Sequence, residues 1–341
     1  MLYGYYEQTG SPFRANALRE LKEFLSRMEL SYDEGIEYTV AIRNSDARIV
    51  ACASLQQNVI KCVAVDPSLQ GEGITATLMT ALKREALERG HRHLFLYTKP
   101  ENAAQFGGIG FYEIVHTDSV LLMENRRGGF DSWVENVRSA QAHGIIGAAV
   151  MNCNPMTNGH RYLIEQAAAQ CDTLYLFIVS EDRSAVPAQD RKKIVKESTA
   201  HLDNVHVVET GRYLISSATF PDYFIKDKSR SGAVWTQLDI AVFCRAAQAL
   251  GITKRFVGTE PFCPTTNAYN TTMEHALPQA GIELVQFSRF EQDGTAISAT
   301  AVRNLVAQGS WQDTRGLVPE ATWNYLSDEH HRETMRKRMT T

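Results

Sequence analysis

The sequence predicts an α/β protein: a doubly wound parallel sheet in the C-terminal part, preceded by a mixed α+β unit. Three observations carry that prediction. From Gly144 onward, short apolar runs alternate with stretches of helical periodicity, the pattern of strands wound through helices into a parallel sheet. The first of those runs, Gly144 to Met151, breaks into Asn-Cys-Asn-Pro-Met-Thr-Asn-Gly-His (Asn152 to His160) before a helical pattern begins at Arg161. Before Gly144 the order is different, because several strand-like segments follow one another with few helices between them.

In chain order, an amphipathic helix is expected from Phe13 to Leu30. Strands follow at Ile36 to Arg43 and Arg48 to Leu55, joined by the polar turn Asn44-Ser45-Asp46. A strand at Val59 to Val65 runs into Asp66-Pro67 and Gln70-Gly71-Glu72-Gly73, and a helix spans Thr75 to Arg89. Further strands are expected at His93 to Tyr97 and Phe111 to His116, then a bridging helix at Phe130 to Ala142. The parallel sheet takes its strands from Ile145 to Met151, Thr173 to Val179, Val205 to Val208, Arg255 to Val257 and Glu283 to Phe287. Its helices include Arg161 to Gln170, Pro187 to Ala200 and Ala233 to Leu250. The domains are therefore expected at 1–130 and 144–341, with 131–143 as a linker helix. The basic tail, His330 to Arg338, reads as a solvated helix end.

Composition narrows the class. The chain has 341 residues, 44% hydrophobic and 22% charged, with a net charge of −4, as in an ordinary globular protein. That balance gives no electrostatic case for nucleic acid or an anionic membrane. No apolar run approaches the roughly 20 residues needed to span a bilayer. The N-terminus lacks the charged start and apolar core of a signal peptide. The six cysteines form no Cys-x-x-Cys pair and read as reduced thiols in a cytoplasmic protein, with no resident metal assigned.

The chemistry gathers at strand ends. A helix N-terminus presents backbone N–H groups and a partial positive charge to a phosphate. Here that terminus carries Thr157, Gly159 and His160, a donor set suited to phosphate. Thr157-Asn158-Gly159-His160 resembles the His-x-Gly-His signature of the nucleotidyltransferase superfamily, with Thr157 in the first His position. A second element, Ile297-Ser298-Ala299-Thr300-Ala301-Val302-Arg303, places Ser298 at an N-cap, Val302, Leu305 and Val306 on one stripe, and Gly309 at the stop. It resembles the Ile-Ser-x-Thr-x-Val-Arg element of the same superfamily. Phe256-Val257-Gly258-Thr259-Glu260 resembles a nucleotidyltransferase strand end, where Gly258 admits the nucleotide and Glu260 accepts bonds from ribose or adenine; a plain strand-ending turn accounts for the same residues. Asn154, His160 and Glu260 all follow directly on strands. Asp190-Arg191-Lys192-Lys193 reads either as a source of cations or as a solvated helix face.

In the first domain, Val63 to Pro67 with Gln70-Gly71-Glu72-Gly73-Ile74 resembles the pyrophosphate-binding loop of GCN5-related N-acetyltransferases, and Asn102 to Phe111 fits the closing helix and strand of that family. Gln70, Gly71 and Gly73 are the positions implied for coenzyme A or pantetheine. Thr75 departs from the family's usual Gly or Ala.

Taken over the whole chain, an acetyltransferase-like domain followed by a nucleotidyltransferase domain with Asn154 to Glu165 resembles the citrate lyase ligase family. Met156 replaces the usual Phe. Ile215 to Lys226, rich in hydroxyls and aromatics, is similar to a segment of that family; the residues alone allow a lid or a packed surface loop. The resemblance implies that ATP and acetate, with Mg²⁺, acetylate the thiol of the phosphoribosyl-dephospho-CoA arm on citrate lyase's acyl carrier protein subunit. It implies His160, Thr157, Arg303 and Lys226 as catalytic groups, and Asn154, Gly159, Gly258, Glu260, Ser298 and Thr300 as nucleotide contacts. Three competing classes remain: an adenylyltransferase for a phosphate-bearing cofactor precursor, an acetyl-CoA-dependent N-acetyltransferase, and a nucleotide sensor without chemistry.

Overall fold

In a computed structural model, residues 4–214, 231–259, 264–292 and 295–340 are described. They divide into two compact units, 4–130 with 231–241, and 131–214 with 242–340.

The first unit is built on β1 (Tyr6–Gly10), α1 (Ala15–Arg27), β2 (Tyr38–Arg43), β3 (Ile49–Gln56), β4 (Val59–Val65), α2 (Ile74–Glu88), β5 (Phe95–Thr98), α3 (Ala103–Gly107), β6 (Tyr112–His116) and β7 (Leu121–Glu124). These strands form one mixed sheet of order β1-β2-β3-β4-β5-β7-β6. Leu78, Leu82 and Phe106 pack against sheet residues such as Val40, Leu55, Ile60 and Leu96 to make its core. β4 and β5 are parallel and pair only at Val59–Phe95 and Ile60–Leu96. Past those pairs a cleft of about 810 Å³ is lined by Val63, Val65, Tyr97 and the Gln70–Gly73 turn. Gly71 and Gly73 hold φ of 89° and 71°, the left-handed region that glycine enters without strain, so this turn needs both.

β1 and β7 have no counterpart among the expected strands. β1 is an edge strand, Tyr-Glu-Gln-Thr-Gly, polar after its one tyrosine and with no apolar alternation to mark it. β7 is four residues long, three apolar ones followed by Glu124, buried throughout and too short to show a period.

The second unit comprises α4 (Gly129–Val137), which starts at the boundary, then β8 (Ile146–Met151), α5 (Asn158–Ala168), β9 (Thr173–Ile178), α6 (Ala188–Ser198) and β10 (Val205–Glu209). It continues with the C-terminal part of α7 (Ser231–Leu250), β11 (Lys254–Gly258), α8 (Pro264–Gln279) and β12 (Glu283–Phe287). Last come a short hairpin, β13 (Glu291–Gln292) with β14 (Thr295–Ala296), then α9 (Ala299–Gln308), α10 (Glu320–Ser327) and α11 (Glu329–Thr340). Every pairing in its main sheet is parallel, in the order β10-β9-β8-β11-β12. The doubly wound α/β fold is therefore as expected. β9 is buried along its whole length, as a strand covered on both faces must be. The order reverses between β8 and β11, and ligands of such sheets bind outside the strand carboxyl ends at that reversal.

Two expectations are corrected. The helix expected to reach Ala142 ends at Val137, because the Ser139 N–H donates to the Tyr175 hydroxyl (2.9 Å) and its own hydroxyl accepts from the Gln141 N–H (3.2 Å). The chain turns where those side-chain bonds compete with the helix. The basic tail is a docked helix instead of a solvated end. Met335 is fully buried, Arg336 Nε donates to the Val306 carbonyl (3.0 Å), and Arg338 donates to the Ser184 carbonyl (2.8 Å) and the Asp182 carboxylate (2.8 Å). Arg338 thereby fastens the 181–187 loop that follows β9. Replacing Arg338 by Ala is expected to cost about 1 kcal/mol and to speed amide exchange across 181–187 while α11 stays protected. Unchanged exchange in that loop would show that α11 does not restrain it.

Candidate active site

Asn152, Asn154, Thr157 and His160 stand at the carboxyl end of β8, where Thr157 caps α5. Thr157 is extended (φ −119°, ψ 168°) and its hydroxyl accepts from the His160 N–H, while the His160 ring reaches back to the Thr157 N–H: a capping box with His in place of the usual Glu. The Thr157 N–H lies 3.0 Å from His160 Nδ1 and the Thr157 hydroxyl 2.9 Å from the same atom. A backbone N–H can only donate, so Nδ1 is the bare acceptor and the ring proton sits on Nε2. Burial, then the Arg289 and Arg303 guanidiniums, push the His160 pKa down to about 4. The ring is neutral at pH 7, with a single N–H. Thr157 is 1% exposed and its hydroxyl is turned to His160, so it acts by holding that ring.

The second motif meets the first at Gly159. A Cβ there would lie 3.2 Å from the Ile297 carbonyl oxygen, so this glycine serves a close approach of backbone to backbone. Ser298 caps α9, its hydroxyl accepting from the Ala301 N–H (3.1 Å). Arg303, one turn further on, donates to the Asn154 carbonyl (2.5 Å) and the Thr300 hydroxyl (2.9 Å). Asn154 in turn accepts from the Val186 N–H through Oδ1 (2.9 Å). Asn154, Gly159, His160, Ser298, Thr300 and Arg303 thus form one cluster. Gly258 ends β11 on the other side of the sheet reversal, and its missing side chain makes room for Leu163 of α5, 3.3 Å from where a Cβ would be. Not every N–H of the first turn is open, since Asn158 donates to the Leu317 carbonyl (2.9 Å). Glu260, Lys226 and the rest of Ile215 to Lys226 lie outside the described residues.

Arg191 departs from the solvated-face reading that its neighbour Lys193, which is exposed, keeps. It is 0% exposed and donates to five carbonyl oxygens: those of Val186, Asn152, Val179 and Glu181, and the Asn152 amide. Cys153, between Asn152 and Asn154, is fully buried, which pushes its thiol up to about 12 and keeps it unreactive, as expected for a buried cysteine. Arg289 was not singled out by the sequence reading. It follows β12 by two residues, and its Nε donates to the Thr259 carbonyl at the end of β11 (3.2 Å). The signal was available: position at a strand's carboxyl end had already picked out Asn154 and Glu260.

A parallel five-stranded sheet with these two capped helices at its reversal point is a doubly wound α/β domain, here following a unit that matches the acetyltransferase (GNAT) family over residues 5–115. Residues 146–326 match the citrate lyase ligase C-terminal domain. A [citrate [pro-3S]-lyase] ligase of Klebsiella pneumoniae is 43% identical over 313 residues, 90% of this chain and 91% of that one. The enzyme of the same name from Escherichia coli (strain K12) is 41% identical over 334 residues, 95% of each chain. A phosphopantetheine adenylyltransferase of Streptococcus pneumoniae is 35% identical over 72 residues, 20% of this chain and 44% of that one. The chain belongs to the citrate lyase ligase family.

Two predictions follow from the geometry. The His160 ring should remain the neutral Nε2–H tautomer down to pH 5 and titrate near 4, as read from imidazole nitrogen shifts. An unfolded histidine takes up its proton near pH 6.5 while the folded ring refuses it until about 4, so this residue's part in stability is whole above 6.5 and declines as the pH falls through that window. Replacing Arg191 by Met strips donors from buried carbonyls and should cost about 3 kcal/mol or more in denaturant unfolding. A loss under 1 kcal/mol would mean that water replaces the guanidinium.

Proposed function

We propose that this protein is an ATP-dependent acid–thiol ligase that acetylates the prosthetic-group thiol of citrate lyase, converting ATP, acetate and thiol-form lyase to AMP, diphosphate and acetylated lyase. The observation that carries this reading is whole-chain membership of the family, together with the meeting of His160 and Arg303 at one sheet edge.

On this reading residues 144–341 form the adenylating domain. An acetate oxygen attacks the α-phosphorus of ATP, forming the O–P bond as the bond to the β-phosphate oxygen breaks and diphosphate leaves with the electron pair. The carrier thiolate then attacks the acetyl carbon and AMP departs. No protein nucleophile is needed, and positioning with charge stabilisation does most of the work. His160 donates from Nε2 to the α/β-phosphates, held by Thr157. Ser298, Thr300 and Arg303 face the departing diphosphate, Asn154, Gly159, Gly258 and Glu260 hold the nucleotide, and Lys226 steadies the acyl-adenylate. The described residues at this edge are hydrogen-bond donors and not a metal cage, so Mg²⁺ would enter on the phosphate oxygens of ATP and supply charge neutralisation there. The partner is the phosphoribosyl-dephospho-CoA arm of the lyase's acyl carrier subunit, in the cytoplasm. The domain of residues 1–130, through Gln70, Gly71 and Gly73, offers a place for a coenzyme A-like arm, with 131–143 as the connection.

The test is acetate-dependent exchange of labelled diphosphate into ATP by the full chain with Mg²⁺. Exchange that requires acetate supports the ligase; exchange or AMP transfer that instead requires a phosphate-bearing acceptor such as phosphopantetheine favours an adenylyltransferase. His160→Ala should fold normally and lose on the order of 10²–10³ in exchange rate, the usual loss for one preorganised donor. Near-normal exchange in that variant would remove His160 from the mechanism.

A further inference from the structure

The cleft of the first unit has an apolar end and a polar end. β4 and β5 pair only at Val59–Phe95 and Ile60–Leu96, then separate, and the gap is walled by Val63, Val65, Leu96 and Phe106. Such walls take a thin uncharged chain and exclude ions. At the other end stands the Gln70–Gly73 turn, followed by α2, whose start no side chain caps. Backbone N–H groups of a first helical turn have no partner within the helix and suit an anion. A Cβ on Gly71 or Gly73 would meet nothing within 4 Å, so the space before this turn is open, whereas the space at Gly159 is filled by Ile297. A molecule that fits both ends is a diphosphate with a neutral, amide-bearing thiol tail, the chemistry of a pantetheine arm.

The charges around the turn narrow this further. With the tail in the apolar gap and the diphosphate on the turn, the nucleoside extends outward past Glu72, which is exposed between the two glycines. From Asp66 to Leu82 the chain carries Asp66 and Glu72 but no lysine or arginine. The next cation, Lys83, donates to the Ile109 carbonyl (2.8 Å). Asp66 stays ionised, because the Ser68 hydroxyl (2.7 Å) and N–H (3.0 Å) donate to its carboxylate. On the α3 side the groups are neutral: the Gln105 amide donates to the Thr75 hydroxyl (2.9 Å) and ties α3 to the start of α2. Two cations do line the cleft. Arg27 is close enough to Asp66 to stabilise that carboxylate, and Lys99 follows the end of β5.

Free coenzyme A carries a 3′-phosphate on its ribose as well as the diphosphate, and such a monoester has a charge of about −2 at pH 7. Beside Glu72, on a turn without a cation, that group is repelled. A dephospho arm has no such group and keeps the diphosphate and the tail.

We propose that this cleft docks the thiol arm of the lyase's carrier subunit and discriminates it from free coenzyme A by the absent 3′-phosphate, with Glu72 as the discriminating residue. This rests on the ligase reading above. The step at the cleft is binding alone, and no bond is made or broken there.

The experiment is calorimetric titration of the full chain with dephospho-coenzyme A and with coenzyme A, in excess ATP so that a nucleotide site elsewhere is filled. Dephospho-coenzyme A should bind about three- to tenfold more tightly, the effect of one like-charge contact near a surface, and the preference should shrink as salt is raised. Glu72→Gln should remove most of the preference and Glu72→Lys should reverse it. Equal or tighter binding of coenzyme A by the wild type overturns the proposal, and Lys99→Ala then shows whether that lysine has taken the phosphate. A preference that Glu72→Lys leaves unmoved also overturns it, by placing the ligand outside this cleft. Thiol-form citrate lyase should displace bound dephospho-coenzyme A, and lyase lacking its prosthetic group should not; failure to displace overturns the assignment to the lyase's arm. Acetate-dependent diphosphate exchange needs no arm and tests the ligase reading separately. Its absence counts against that reading, whereas exchange without the dephospho preference counts against this proposal alone.

Discussion

The candidate site depends on a buried guanidinium. Arg191 enters from α6 and spends its donors on the backbone at the ends of β8 and β9, through Asn152 and Val179, and on the following loop, through Glu181 and Val186. A buried cation is very costly unless its hydrogen bonds are made, and carbonyls at the ends of strands also cost free energy, though less, when left dry. Each satisfies the other. The arrangement is rigid because the acceptors come from separate segments and the planar fork fits them in one orientation. On that floor stand Asn152 and Asn154, and through Asn154 the loop is tied to Arg303.

The helix cap performs a second service beyond stability. A capping box with Glu would leave a carboxylate at the helix start, repelling phosphate. With His160 in its place, the same reciprocal bonding fixes a neutral ring with its proton on the outer nitrogen. Burial first, and then repulsion by the neighbouring guanidiniums, keep the ring neutral, so the cation count at the edge is set by arginine and not by pH in the physiological range. From outside, α11 restrains the 181–187 loop through Arg338 and grips the C-terminal end of α9 through Arg336. The two motif-bearing segments are thus held against one another at both ends.

Much was legible in the sequence. Local signals are strong where a residue type has one physical use: Thr157 and Ser298 as caps, Gly309 as a stop with φ of 87°, buried β-strands as continuous apolar runs, and alternation of strand and helix as a parallel sheet. The caps, the sheet and the family are as read. The weaker elements are those whose identity is conferred by neighbours. β7 is a strand because β5 and β6 flank it, and the segment after Val137 is not a helix because Tyr175 captures Ser139.

By itself, then, the sequence determined the fold class, the family, and the two capped helix starts on which the chemistry is mounted, since each follows from local propensity, periodicity or a contiguous motif. Only the tertiary structure decided what the lone side chains do. Arg191 and Lys192 are adjacent and equally charged in the sequence, yet one is a buried hub and the other pairs with Glu209 near the surface. Gly159 reads as room for an anion and is occupied by the approach of Ile297. Arg289 carries no motif and gains its meaning from the Thr259 carbonyl and from His160. The reason is physical. The work of a charged or missing side chain is set by which acceptors and backbones the fold brings within about 3 Å of it, and those contacts join residues from 5 to 149 positions apart.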